Sequence, residues 1–341
     1  MDQKILRIGL DVTKRCNRGC SHCLYDCTDK PTSYLKATDI ISLLKELDQL
    51  DYDCFEFSIS GGEPFLNPEI VEIFDILGRH KKTQKILIVT SGFLKNDPEI
   101  GLFKKVLARR YIIKVRFRLS FNSYAKSFPE RLETTLDLLL NSKALGFAIQ
   151  SCISYQTFEK TYKQLEKILR KGKFRKYLSV PKTFDPSYIR IYTDSRRFIP
   201  LDVLAEESIL EDTLWVGLCK NKKRIKFFLI DYFFLCHGGR AKNLTQEETR
   251  ITFCSALSST PYLNRLIIDH DKKVYPHCPC LPIKGMDMGI FGKDSMEDLL
   301  QKSDNFRTAI VREILNDKRM FTPDSACDIC KGLVFEKRIF A

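Results

Sequence analysis

Three cysteines crowd one short stretch, Cys16-Asn-Arg-Gly-Cys20-Ser-His-Cys23, in C-x3-C-x2-C spacing. The stretch follows directly on Ile5 to Val12, which reads as a β-strand. Three thiolates on one loop can hold three irons of a cubane and leave the fourth iron without a protein ligand, the open position a catalytic metal centre needs. The same thiols suit a zinc knuckle with His22 as fourth ligand, or three incidental buried side chains. A second string, Gly61-Gly62-Glu63-Pro64, follows the next strand candidate and offers a carboxylate beside backbone free of Cβ. Toward the C-terminus Cys254, Cys278, Cys327 and Cys330 are spread as a lone cysteine, a cysteine just after a hairpin, and a C-x-x-C pair. Four thiolates would close a second cluster or a structural zinc site. Cys280 lies just beyond Cys278, and either could be the ligand.

The elements that must position these residues alternate with regularity. Ile40, Leu43, Leu44 and Leu47 fall at helical spacing after an N-cap expected at Thr38 or Asp39. Phe55, Phe57 and Ile59 alternate as a half-buried strand does. Pro68 opens a helix whose Ile70, Ile73, Phe74 and Leu77 share a face. Strands are expected at 85–90, around Val115, Phe117 and Leu119, at 147–154 and at 188–193, with helices over 97–110, 129–145 and 158–170 between them. Six strands with intervening helices make an α/β protein with a parallel sheet, either an incomplete (β/α)6 TIM-like barrel or a doubly wound open sheet. After Asp194 the alternation fails: a basic patch at 220–226 precedes the apolar run Phe227 to Cys236 and a turn at Gly238 and Gly239. From Cys254 the chain reads as a small cysteine-bearing module, with a hairpin around His270–Asp271 and a helix over 295–315.

The cysteine spacing, together with Gly-Gly-Glu-Pro after the second strand, resembles the radical S-adenosylmethionine (SAM) superfamily. The resemblance implies a [4Fe–4S] cluster on Cys16, Cys20 and Cys23, whose open iron is chelated by the amino and carboxylate groups of SAM. One-electron reduction then yields a 5′-deoxyadenosyl radical that abstracts a substrate hydrogen atom. It further implies that Gly61, Gly62, Glu63 and Pro64 hold the methionyl amino group and that His22 lies near the adenine. Ser91 would contact the ribose, with Ser120 and Asn122 at the end of the fourth strand. The C-terminal cysteines resemble the SPASM/twitch subgroup, in which a β-hairpin and a helix carry an auxiliary [4Fe–4S] cluster. On that resemblance Cys254, Cys278, Cys327 and Cys330 ligate it, and Gly239-Arg240-Ala241 resembles the motif before the module. Arg240 would bind a substrate carboxylate or help set the SAM pocket; an ordinary ion pair is its other reading. The implied division is a barrel over 1–194, a connecting segment over 195–250 that completes it, and the auxiliary-cluster module over 251–341. A one-electron reductant such as flavodoxin or ferredoxin is the implied partner.

Thirteen cysteines without a secretory signal argue against a disulfide framework and for a cytoplasmic protein that ligates metal. No apolar run is long enough to span a bilayer. A formal charge of +13 suits an acidic partner or substrate. The lysines between 160 and 176 read as a solvated helix face, which disfavours nucleic acid. The expected function is oxidative modification of a ribosomally made peptide by C–H abstraction. The alternatives are a dehydrogenase or epimerase of a polar small molecule such as an aminosugar, or a peptide epimerase with Cys236 as hydrogen-atom donor. Cys236 reads more readily as a small buried apolar side chain.

Overall fold

The structure is a computed structural model. It describes residues 3–23, 25–121, 127–144, 146–153, 160, 163–165, 167–168, 171, 178–179, 213–221, 224–234, 266–276 and 285–316. In chain order the elements are β1 (Ile5–Thr13), α1 (Ala37–Leu47), β2 (Cys54–Gly61), α2 (Ile70–Arg79), β3 (Thr83–Thr90), α3 (Ile100–Leu107), β4 (Val115–Ser120), α4 (Phe128–Leu140) and β5 (Gly146–Ile153). The short β6 (Leu178–Ser179) and the hairpin β7 (Thr213–Asn221) and β8 (Arg224–Phe234) follow. Then come β9 (Leu266–Ile268), β10 (Lys273–Tyr275), β11 (Gly289–Ile290) and α5 (Met296–Asn316).

These strands form one sheet in the order β11-β10-β9-β1-β2-β3-β4-β5-β8-β7-β6. From β9 to β8 every neighbouring pair is parallel. Strands β1 to β5 advance in one direction, each beside its successor, as in a barrel and unlike the reversing order of a doubly wound sheet. The parallel neighbour of β5 is β8, with Phe147 opposite Phe228. The strand expected at 188–193 lies outside the described residues. Within the basic patch and the apolar run, the described residues belong to a hairpin, β7 pairing with β8 antiparallel.

Alternation explains the layers. Leu6, Ile8, Leu10 and Val12 of β1, Phe55, Phe57 and Ile59 of β2, and Val115, Phe117 and Leu119 of β4 all lie at 1% exposure or less in one apolar core. That core includes Ile40, Leu43 and Leu47 of α1 and Ile70, Ile73, Phe74 and Leu77 of α2. The intervening positions, among them Arg7, Asp11, Glu56, Ser60, Lys85 and Arg118, occupy the opposite face, which is therefore polar. Arg7 Nε donates to Glu56 Oε2 at 2.7 Å, and Lys85 lies 3.8 Å from the same oxygen.

Helix α1 starts one residue before the expected cap. Lys36 is its N-cap, and Asp39 in the first turn accepts the Lys36 N–H at 2.9 Å. The predicted hairpin around His270–Asp271 is β9 and β10, with Val274 opposite Ile268. Strand β9 docks on the free side of β1, Ile8 opposite Leu266. Met296, Leu299 and Leu300 of α5 join the same core, and the Met296 N–H donates to Glu46 of α1 at 3.1 Å. A hairpin followed by a helix is thus present, but Cys254, Cys278, Cys280, Cys327 and Cys330 lie outside the described residues. So do Asn122, Cys236 and Arg240. Among the described residues no helix is long and apolar enough to cross a membrane.

Candidate active site

The cysteine loop leaves the C-terminal end of β1, and the Gly-Gly-Glu string leaves the adjacent end of β2. Their approach is a matter of backbone packing. The Gly62 N–H donates to Thr13 O at 2.6 Å and the Glu63 N–H to Arg15 O at 2.9 Å. A Cβ on Gly61, which has φ +114°, would lie 2.4 Å from Thr13 O; one on Gly62 would lie 2.1 Å from Arg15 O. No side chain fits there, so both glycines let the end of β2 lie against the base of the cysteine loop. The sequence reading placed that need at the ligand instead.

Glu63 precedes a 3-10 turn at Pro64–Leu66 and is 1% exposed. Its Oε1 accepts the Thr90 hydroxyl at 2.7 Å; its Oε2 accepts the Ser91 N–H at 3.0 Å and the Ser91 hydroxyl at 2.6 Å. Thr90 ends β3 and Ser91 follows it, so the end of β3 holds the Glu63 carboxylate while the end of β1 and the base of the loop hold the backbone before it. Aromatic packing beneath them fixes the arrangement. Phe65, two residues after Glu63, meets Phe93, two after Ser91, edge-on at 5.2 Å, and both pack on Phe103 at 5.5 and 4.8 Å. Such pairs contribute roughly 0.5–1.5 kcal/mol each beyond area burial. Asn67, fully buried, donates to both Val12 O and Leu35 O, tying β1 to the chain entering α1.

Cys16, Cys20 and Cys23 are partly exposed on the loop and form no disulfide. The Cys27 N–H donates to Cys23 Sγ at 3.4 Å, and the Arg18 N–H donates to the Cys16 sulfur. Burial first, and the neighbouring Glu63 second, push the Cys16 thiol up to about 12, so as a free group it keeps its proton until a metal displaces it. Cys27 is 2% exposed, and its thiol is raised further by its hydrogen bond to Cys23, then by burial. It is a buried companion of the loop. Among the described residues no three His, Cys, Asp or Glu side chains gather as they would round a single metal ion. A cubane takes its thiolates at three separate irons and holds them farther apart. His22 is half-buried between Cys20 and Cys23, and Ser120 half-buried at the end of β4. Ser91 commits its hydroxyl to Glu63 and Arg18 in this structure.

Several polar residues at these strand ends escaped the sequence reading. Arg18, inside the cysteine loop, reaches Ser91, and Arg131 of α4 pairs with Asp97 and donates to Gly92 O. Thr135, fully buried, accepts the Phe93 N–H at 2.9 Å. Asp11, one turn of the pleat before the loop, is 2% exposed; its Oδ1 accepts the Ser60 hydroxyl, while Oδ2 is buried with no hydrogen bond among the described residues. Burial, outweighing the Ser60 bond, lifts its carboxyl to about 7, and Asp269 beyond the end of β9 adds a smaller repulsion. An acidic residue within a largely apolar β-strand, just before the cysteine loop, was the available signal for Asp11. A cation between two cysteines was the signal for Arg18.

The comparisons with known proteins agree with this geometry. A family model described as the radical SAM superfamily matches residues 10–184. The GTP 3′,8-cyclases of Acaryochloris marina (strain MBIC 11017) and Microcystis aeruginosa (strain NIES-843 / IAM M-2473) are each 31% identical over 108 residues, 30% of this chain and 32% of theirs. The chain thus matches about a third of the length of these relatives. Streptococcus suis SuiB bound to precursor peptide SuiA has a similar fold, with a TM-score of 0.56 at 12% identity over 95% of this chain and 76% of that one. Native anSMEcpe with bound AdoMet gives 0.53 at 13% identity over 98% of each chain. The family implies one [4Fe–4S] cluster and SAM, and the residues present fit them. The three cysteines share a loop, backbone N–H groups point at two of their sulfurs, and a buried carboxylate is fixed to the loop's base. Loop, glycine pair, carboxylate and parallel strands thus agree with the family match: the chain belongs to the radical SAM superfamily.

Proposed function

We propose that this radical SAM enzyme oxidatively modifies a ribosomally made peptide after abstracting one of its hydrogen atoms. When reduced by one electron, the cluster with bound SAM supplies the 5′-deoxyadenosyl radical. Cys16, Cys20 and Cys23 would hold that cluster. Glu63 would orient the methionyl amino group, and His22, Ser91 and Ser120 would border the nucleoside. The observation that carries this reading is Glu63, whose carboxylate is buried at the strand ends and whose backbone N–H is bonded to the base of the cysteine loop. Asn122, Cys236 and Arg240 belong to the proposal on sequence grounds alone. So does an auxiliary cluster on Cys254, Cys278 or Cys280, Cys327 and Cys330, which would accept the second electron in an oxidation. The likeness to SuiB, solved bound to a precursor peptide, supports a peptide substrate, as does the charge of +13 facing an acidic leader.

A small-molecule substrate is the second reading. The curated relatives are named for a reaction of GTP, and the polar face of the sheet carries Lys85, Arg116 and Arg118, which suit an anionic group.

Dithionite-reduced protein, reconstituted anaerobically, is expected to convert SAM to 5′-deoxyadenosine and methionine. Formation of S-adenosylhomocysteine instead would remove the radical mechanism. Incubation with peptides encoded beside the gene, in deuterated water, then separates the outcomes. A product lighter by two hydrogens supports oxidation, and one of unchanged composition carrying deuterium supports epimerisation through Cys236. No turnover of any peptide, with turnover of a nucleotide or sugar, supports the second reading.

A further inference from the structure

Arg18 lies between the first two cysteines, yet its side chain is only 3% exposed. Its Nε donates to Ser91 Oγ at 2.7 Å, Nη2 to Gly92 O at 3.2 Å and Nη1 to Asn17 Oδ1 at 2.6 Å. Two carboxylates complete its surroundings, Asp97 at 3.6 Å and Glu63 at 3.9 Å. A guanidinium this deeply buried is costly unless every face of it is answered. Here the answering groups come from the cysteine loop itself, from Glu63 beyond β2, from the residues following β3 and from the segment leading into α3.

A ligand clasped at two points tolerates little error in their separation, about 0.5 Å. The amino-acid part of SAM is such a ligand, held at the open iron carried by the loop and at Glu63 beyond β2. Backbone bonds fix the base of the loop, at Thr13 and Arg15. Arg18 ties down the stretch between Cys16 and Cys20, some way beyond that base. The geometry points to Arg18 as a positioning residue for SAM. Its guanidinium locks the cysteine loop to Ser91 and Glu63, so that the open iron and the Glu63 carboxylate stand at a separation one amino-acid moiety can bridge. The inference rests on the reading that Glu63 takes the SAM amino group. Lysine would not substitute, because a point charge on a flexible stem cannot donate in three fixed directions at once.

The test uses the full chain, reconstituted anaerobically, as wild type, Arg18→Ala, Arg18→Lys, Glu63→Ala and the Arg18→Ala/Glu63→Ala double variant. Iron and acid-labile sulfide report the cluster, thermal melting reports the fold, and the change in the reduced cluster's electron paramagnetic resonance spectrum on titration reports SAM affinity. Arg18→Ala is expected to keep its iron and to bind SAM roughly 10- to 100-fold more weakly, the usual cost of losing a residue that orients a ligating group. Arg18→Lys should recover little of that loss. The double variant should bind no more than about twofold more weakly than Glu63→Ala, because both residues act on one contact. If Arg18→Ala loses iron and melting temperature while its loaded fraction binds SAM normally, Arg18 is merely structural and the proposal falls. It falls alone if Glu63→Ala weakens binding and Arg18→Ala does not. If Glu63→Ala itself binds SAM as wild type does, the reading of Glu63 falls first.

Discussion

Replacing Asp11 by Asn tests the buried end of β1 against pH. The carboxyl sits at about 7 in the folded chain against an ordinary 3.8, because burial outweighs its bond from Ser60. Each unit of that shift corresponds to about 1.4 kcal/mol, so ionised Asp11 costs the fold about 4 kcal/mol. The sign follows from proton uptake. Above about pH 4 the unfolded chain ionises this group, while the folded chain keeps it protonated to about pH 7. The folded state therefore binds the extra proton, and stability falls as pH rises through that window. About 2.5 kcal/mol of the cost develops between pH 5 and pH 8. Asparagine is neutral throughout, keeps an acceptor for the Ser60 hydroxyl and resembles the protonated acid in shape. Anaerobic urea unfolding of wild type and Asp11→Asn, followed by far-ultraviolet circular dichroism at both pH values, measures the difference directly. The stability of the variant relative to wild type should rise by about 2.5 kcal/mol from pH 5 to pH 8, other titrations cancelling between the two proteins. A difference that stays constant with pH, or shifts the other way, would refute the buried, protonated carboxyl.

Two further changes address the packing around Glu63. Gly62→Ala drives a Cβ to within 2.1 Å of Arg15 O, so the base of the cysteine loop must move; reconstitution should yield little iron at the first cluster, with destabilisation of roughly 1–3 kcal/mol read from unfolding midpoints. Thr135→Val strips the acceptor from the buried Phe93 N–H and should cost roughly 1–3 kcal/mol, while Thr135→Ser, which keeps the hydroxyl, should cost distinctly less.

The strands that alternate strictly were legible because each packs one face on helices. Phe55, Phe57 and Ile59, and Val115, Phe117 and Leu119, are buried at those positions and polar between them. The cysteine spacing and Gly-Gly-Glu-Pro were legible because their chemistry is local, a loop of thiols and a carboxylate on glycine backbone. The role of the run from Phe227 was not, since an apolar run broken only by Asp231 has no period to announce a strand, and its parallel partner β5 comes from a distant segment. Nor was the docking of β9 on β1, because strand order across so long an interval leaves no local mark. Arg18 and Asp11 looked like ordinary charged residues; only tertiary contact turns one toward Glu63 and strands the other among Ser60 and Asp269.

The docking of β9 has a consequence for biosynthesis. Strand β1 leaves the ribosome well ahead of the strand that covers its outer edge, Leu266 following its partner Ile8 by 258 residues. The nearby contact of Met296 with Glu46 spans 250 residues. At roughly 5–20 residues per second, the nascent chain holds that edge uncovered for about 12–50 s. During this interval the edge is open to pairing with another chain, and the strand that leads to the thiols lacks its outer neighbour. Anything that slows translation of the segment between β5 and β9 lengthens that exposure, so the yield of correctly loaded protein should depend on chaperone supply and on the timing of iron delivery.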